Sequence, residues 1–169
     1  LGQTPRPETP GIDLPDGVQF DVNYTEGSDI GYRWFARTRQ TPLFPFGYGL
    51  SYTAFDYSNL TVEGGQTVTV GFDVTNTGGA AGEAVPQIYL MSRTGRPLQR
   101  LIGFSKVALS SGQRQRVSVR VDPRLLADFD AGINGWRIPA GLYTIMVGRS
   151  AIERVLVGAA TVDGQSLPP

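Results

Sequence analysis

The sequence predicts an all-β chain: a sandwich of about seven short strands behind an irregular segment of about fifty residues. Three observations predict it. Apolar residues alternate with polar ones from Phe55 onward, the period of a half-buried strand. Turn signals break that alternation every 8–12 residues or so. The chain also carries 22 Gly and 12 Pro, which suits a fold with many tight turns.

Phe55, Tyr57, Asn59 and Thr61 are expected to share one face of the first strand. Val68, Val70, Phe72 and Val74 give the cleanest alternation, with Thr67, Thr69, Asp73 and Thr75 facing out; Asn76-Thr77-Gly78-Gly79 ends that strand. Residues 84–92 are apolar on both faces, and Pro86 assigns their start to an edge or a bulge. Residues 99–109 follow, interrupted by Gly103. Val117, Val119 and Val121 make another strand, and Pro123 after Asp122 marks a short helical turn. Tyr143, Ile145 and Val147 follow the turn Pro139-Ala140-Gly141, and Val155 and Val157 begin the last strand. The inward residues Val68, Val70, Phe72, Val74, Val117, Val119, Val121, Ile145 and Val147 are the expected core.

The segment before this is different. Residues 1–22 hold four prolines and no sustained periodicity, so they read as an extended, surface-following stretch. Residues 23–41 contain the aromatic-basic cluster Tyr32-Arg33-Trp34-Phe35. Residues 42–52, PLFPFGYGLSY, pack two prolines, two glycines and four aromatics together. They are too broken for a helix or a central strand, and too apolar for a flexible linker.

Composition excludes several chemistries. There is no Cys and no His, which removes thiolate and Ser-His-Asp nucleophiles and the usual zinc ligands. Acid/base work would rest on carboxylates, tyrosines or Lys106. Charge balances at 15 against 15 with no basic tract, which argues against nucleic acid. No run of about 18 apolar residues exists to span a bilayer as a helix. The chain starts at Leu1 without a signal-like stretch, so a trimmed or fragmentary product is the expectation.

These motifs, in this order, resemble one family. They are Tyr24-Thr25-Glu26-Gly27 with Gly31-Tyr32-Arg33-Trp34-Phe35; residues 42–55; Val74-Thr75-Asn76-Thr77-Gly78 with Ala81-Gly82-Glu83 and Gln87-Ile88-Tyr89-Leu90; Leu101-Ile102-Gly103-Phe104-Ser105-Lys106-Val107; and Trp136 with Gly141-Leu142-Tyr143 and Val147-Gly148-Arg149-Ser150. Over residues 20–160 the chain resembles the C-terminal end of glycoside hydrolase family 3 enzymes, the β-glucosidase and β-xylosidase type. In that family a barrel-like domain and an α/β sandwich domain build the active site, and a fibronectin type III-like domain follows. The resemblance implies that residues 1–50 finish the α/β domain and connect it onward, and that residues 51–169 are the fibronectin type III-like, immunoglobulin-like sandwich. Residues 42–52 would then seal the junction, their aromatics buried against both neighbours.

The resemblance also bears on chemistry. A retaining glycosidase needs two carboxylates about 5 Å apart. The family places its nucleophilic Asp and its acid/base Glu upstream of these motifs, so no residue of this chain is expected to be catalytic. No cofactor or metal is implied. Glu26 beside Arg33 is the most tempting carboxylate, and an ion pair bracing the connector is the preferred reading. Trp34, Phe35, Tyr48 and Tyr52 can be read as a sugar platform, but interface burial is the preferred reading; Trp136 is expected to pack in the sandwich or on its rim. Asn23-Tyr24-Thr25 and Asn59-Leu60-Thr61 match the glycosylation sequon. Fourteen Arg against one Lys suit a bacterial source, where that modification is not expected. The expected partners are the upstream catalytic portion and, through it, a β-glucoside or oligosaccharide. A homo-oligomer is allowed, and a secreted or periplasmic location is implied. The competing reading is a free-standing carbohydrate-binding or adhesion module.

Overall fold

In the computed structural model, residues 15–19 and 26–169 are described. The expectations for residues 1–14 and 20–25, including the sequon at Asn23, lie outside them. In chain order come helix α1 (Tyr32–Thr38), β1 (Phe55–Glu63), β2 (Thr69–Asn76), β3 (Gly82–Ala84) and β4 (Gln87–Arg93). Next are β5 (Arg96–Phe104), β6 (Val107–Leu109) and β7 (Arg114–Arg120). A 3-10 turn (Pro123–Leu126) then leads to β8 (Asp128–Asp130), β9 (Gly135–Ile138), β10 (Gly141–Gly148), β11 (Arg154–Val162) and β12 (Gln165–Leu167).

The expected seven strands form the two main antiparallel sheets. One has the order β1-β2-β7 and the other β11-β10-β4-β5. Their inner faces build the core: Val70, Phe72, Val74 and Val117 face Ile88, Leu90, Tyr143, Ile145 and Val147. Burial of these side chains drives the fold, at about 1.5–3 kcal/mol each. Val119 is the exception among the expected core residues, being half-buried. Tyr143 donates from its hydroxyl to the Pro139 carbonyl at 2.7 Å, which satisfies a phenol whose ring lies in the core. Burial raises the pKa of this phenol.

Several expectations need correction. Asn59 takes φ +53° and the β1–β2 register shifts between Ser58 and Thr61. That bulge turns the strand over, so Leu60 and Val62 pack inward while Asn59 and Thr61 point out. Thr67 is buried, because its hydroxyl donates to the Val121 carbonyl at 2.7 Å. Gly103 does not interrupt its strand: β5 runs through it, and the break falls at Ser105-Lys106. A side chain at Gly103 would meet Val119 at 2.9 Å, so the position needs Gly for close packing of the sheets. The segment before residue 50 is not wholly irregular, since it contains α1.

Pro86 acts as expected. It lies between β3, which pairs with β6, and β4, at the centre of the larger sheet. Within β4 the two apolar faces serve two cores. Ile88 and Leu90 enter the sandwich, whereas Tyr89 and Met91 point to the outer face, with Met146, Ala151 and Leu101.

Candidate interdomain surface

That outer apolar face is where α1 and Phe46 sit. Helix α1 has no acidic residue in its first turn, and Gly31 at its start makes no side-chain cap. Seven residues without an N-terminal side-chain cap are marginal alone, so tertiary packing must hold them. Tyr32 supplies it. Its ring lies 5.7 Å from that of Tyr89 and 5.3 Å from that of Phe46, and its hydroxyl accepts from the Leu101 backbone N–H at 2.9 Å. The Ala151 N–H donates to the Phe46 carbonyl at 2.9 Å. Gly47, at φ +83°, fits against the buried Gln87 side chain, which accepts from the Tyr89 hydroxyl and donates to the Arg149 carbonyl at 3.4 Å.

Just after residues 42–52 the chain is tied, at Thr53, by Asn76, the asparagine of the Asn-Thr-Gly motif. It is fully buried. Its amide nitrogen donates to the carbonyls of Ala80 and Leu109 at 2.8 and 3.1 Å. Its side-chain oxygen accepts from the Thr53 hydroxyl at 2.7 Å and the Gly78 N–H at 3.0 Å. Every polar group of this amide is thus used, which is what makes its burial tolerable.

The expected candidates fall as follows. Glu26 is buried at the start of the turn that leads into α1, and its backbone carbonyl accepts from Arg37 at 3.3 Å. Arg33 forms its ion pair with Asp29 at 2.9 Å, and Arg37 reaches the same carboxylate at 3.3 Å. Asp29 is therefore the brace of α1, a role the sequence reading did not assign. Trp34 is half-buried with the Arg37 guanidinium 4.7 Å above its ring, so that face is already taken. Phe35 is half-buried. Trp136 is half-buried on β9 against Phe129, at 5.5 Å edge to face, on the rim of the sandwich. Asn59 is exposed, and its amide donates to Asp73 at 2.7 Å.

Residues 42–52 touch the rest of the chain on one side only, and Phe46 itself stays half-exposed. Phe46 covers Tyr32, but Leu43, Phe44, Tyr48, Leu50 and Tyr52 stand in solvent, Leu50 at 90% exposure. Single exposed apolar residues are ordinary; a consecutive band of them marks a contact surface. Beside the band, a groove of about 610 Å³ opens between α1 and the larger sheet. Tyr32, Phe46 and Met91 are in its wall, and its charged lining is four arginines against the single Asp29. By contrast, the outer face of β1-β2-β7 presents Thr69, Asp73, Thr75, Arg114 and Arg116, with no aromatic row. Among the described residues no cluster of three metal-ligating side chains occurs, and no helix is long and apolar enough to cross a membrane.

Known proteins are similar to this chain in sequence and fold. A family model described as a fibronectin type III-like domain matches residues 84–151. Thermostable beta-glucosidase B of Acetivibrio thermocellus is 36% identical over 155 residues, spanning 87% of this chain and 20% of its own length. A beta-glucosidase of Rhizobium radiobacter is 40% identical over 146 residues, 81% of this chain and 18% of that protein. Among solved structures, beta-glucosidase 3B from Thermotoga neapolitana in complex with glucose superposes with a TM-score of 0.79 at 36% identity, over 86% of this chain and 21% of that one. The GH3 beta-glucosidase of Bifidobacterium adolescentis does so with a TM-score of 0.80 at 32% identity, over 95% and 25%. The chain thus spans about a fifth of the length of the curated relatives it matches.

Proposed function

We propose that this chain, the counterpart of the C-terminal, fibronectin type III-like region of glycoside hydrolase family 3 β-glucosidases, is the non-catalytic end of such an enzyme and braces its catalytic portion. The parent would be a retaining β-glycoside hydrolase acting on terminal β-linked glucose or a related sugar, exported to the periplasm or secreted. In this reading residues 1–50 finish the upstream α/β domain and cross to the sandwich of residues 51–169. The two catalytic carboxylates lie upstream, and this chain contributes rigidity and contact area.

The observation that carries the proposal is the one-sided contact of residues 42–52. Their inner side is anchored through Phe46 and Gly47, while Phe44, Tyr48, Leu50 and Tyr52 face outward from a rigid mount. A free-standing module has no use for such a band, which costs about 25 cal/mol per Å² to keep wet. The aromatics lie on the connector itself, where a preceding domain would meet them. The experiment is a native size measurement with an aryl β-glucoside assay. The pure chain should give no turnover. It should bind the separately expressed upstream portion in a complex that carries the activity. Turnover by the chain alone, abolished by Glu26→Gln, would move the chemistry here and overturn the proposal.

A further inference from the structure

We infer that the groove between α1 and the larger sheet receives an acidic, carboxylate-bearing segment of the upstream portion; this rests on the domain role proposed above. The chain as a whole carries balanced charge, yet the groove is lined by Arg33, Arg37, Arg39 and Arg154 and by one carboxylate, Asp29. Asp29 already serves Arg33 and Arg37. Arg39 and Arg154 are exposed and have no ion pair among the described residues. Two free guanidinium groups at a concave mouth, with Tyr32, Phe46 and Met91 in the wall, form a site for carboxylates. The apolar wall lowers the local dielectric and strengthens the attraction once water is displaced.

Chain continuity names the occupant. One wall of the groove is α1, the element by which the polypeptide arrives from its N-terminal side, so a tethered upstream domain sits at high effective concentration. The aromatic band supplies contact area beside it, and the arginines set the orientation of docking. A neutral sugar would leave the arginines without counter-charge.

The test is calorimetric titration of the 169-residue chain with the separately expressed upstream portion, at a series of NaCl concentrations. Affinity should fall as salt rises. The double variant Arg39→Glu with Arg154→Glu should bind at least about ten-fold more weakly and lose that salt dependence. Both side chains are exposed, so its thermal melt should match the wild type. The double variant Phe44→Ser with Tyr52→Ser should weaken binding and keep the salt dependence. If the arginine variant binds as tightly as the wild type, with the same salt response, the acidic docking segment is refuted and the bracing role stands. If the wild-type portions do not associate at any salt, both fall.

Discussion

The Tyr32 hydroxyl on α1 accepts a hydrogen bond of 2.9 Å from the Leu101 N–H on β5, 69 positions further along the chain. Strand β5 is the outer strand of its sheet, so its outward N–H groups have no strand partner. Tyr32 covers one of them and places its ring on Tyr89 in the same step. The connector and the sandwich are therefore one packed body at this point.

Tyr32→Phe should keep the ring contacts and orphan the Leu101 N–H, at a loss of about 1 kcal/mol. Tyr32→Ala should lose at least twice as much, because the contacts with Tyr89 and Phe46 go too. Urea unfolding of the 169-residue chain measures both. Wild-type stability in Tyr32→Ala would mean that α1 adds nothing to the folded unit.

Asn76 should be less forgiving. Asn76→Ala removes four hydrogen bonds at a fully buried position and strands the Ala80 and Leu109 carbonyls. A destabilisation of about 2–4 kcal/mol is expected. Thr53→Val, which cuts only the bond from Thr53, should cost about 1 kcal/mol. Equal effects of the two substitutions would show that Asn76 acts only through Thr53.

The sandwich was legible wherever burial followed strict alternation. Val68, Val70, Phe72 and Val74 point inward as read, because one face is water and the other is core. The turn at Pro123 was legible from its cap, Asp122, whose carboxylate accepts from the Arg124 N–H at 2.9 Å. The bulge at Asn59 was not: Leu60 and Val62 were the apolar pair to follow, but a shift from odd to even positions reads as noise without the register. Strands β8, β9 and β12 are three to four residues long, too short to show a period. Helix α1 lacks an N-cap signal, and the contacts that hold its Tyr32, with Tyr89 and Leu101, are far away in sequence. At the candidate surface the aromatic band was visible from its composition. The arginine groove was not, since Arg154 joins Arg33, Arg37 and Arg39 only through the fold.

Acid should loosen the joint between the sandwich and its small sheet β8-β9-β12. Asp128 accepts from Arg93, and from Arg100 at 3.0 Å; the same arginines donate to the carbonyls of Leu126 and Ala127 at 2.9 and 2.8 Å. Burial alone would raise this carboxyl's pKa, but the two arginine hydrogen bonds and charges outweigh it and hold it below the usual range. A depressed folded pKa stabilises the folded state above the unfolded value near about 3.9 and is lost as pH falls through the folded one. Asp128→Asn should therefore be less stable than the wild type at pH 7. The gap should shrink as pH drops below about 4. The carboxyl is half-exposed, so the effect is expected at about 1 kcal/mol or less. Urea midpoints for both proteins between pH 7 and pH 3 decide it; a constant gap would exclude the charge as the cause.

The two glycines of residues 42–52 should part company. At Gly47 the backbone has φ +83°, and an added methyl carbon would fall 1.8 Å from the Gln87 amide nitrogen. Gln87 has little room to yield, being buried and bonded to Tyr89 and to the Arg149 carbonyl. Gly47→Ala thus combines a left-handed backbone with a clash, at a loss of about 1–3 kcal/mol. Gly49 has no positive φ and nothing within 4 Å of an added methyl. Gly49→Ala should be neutral or slightly stabilising, through the entropy of the unfolded chain. Limited proteolysis reads the difference directly: Gly47→Ala should expose the bonds around residues 40–50 to cleavage, while Gly49→Ala should leave them as resistant as in the wild type. Equal resistance of the two variants would show that the fit of Gly47 against Gln87 does not anchor the connector.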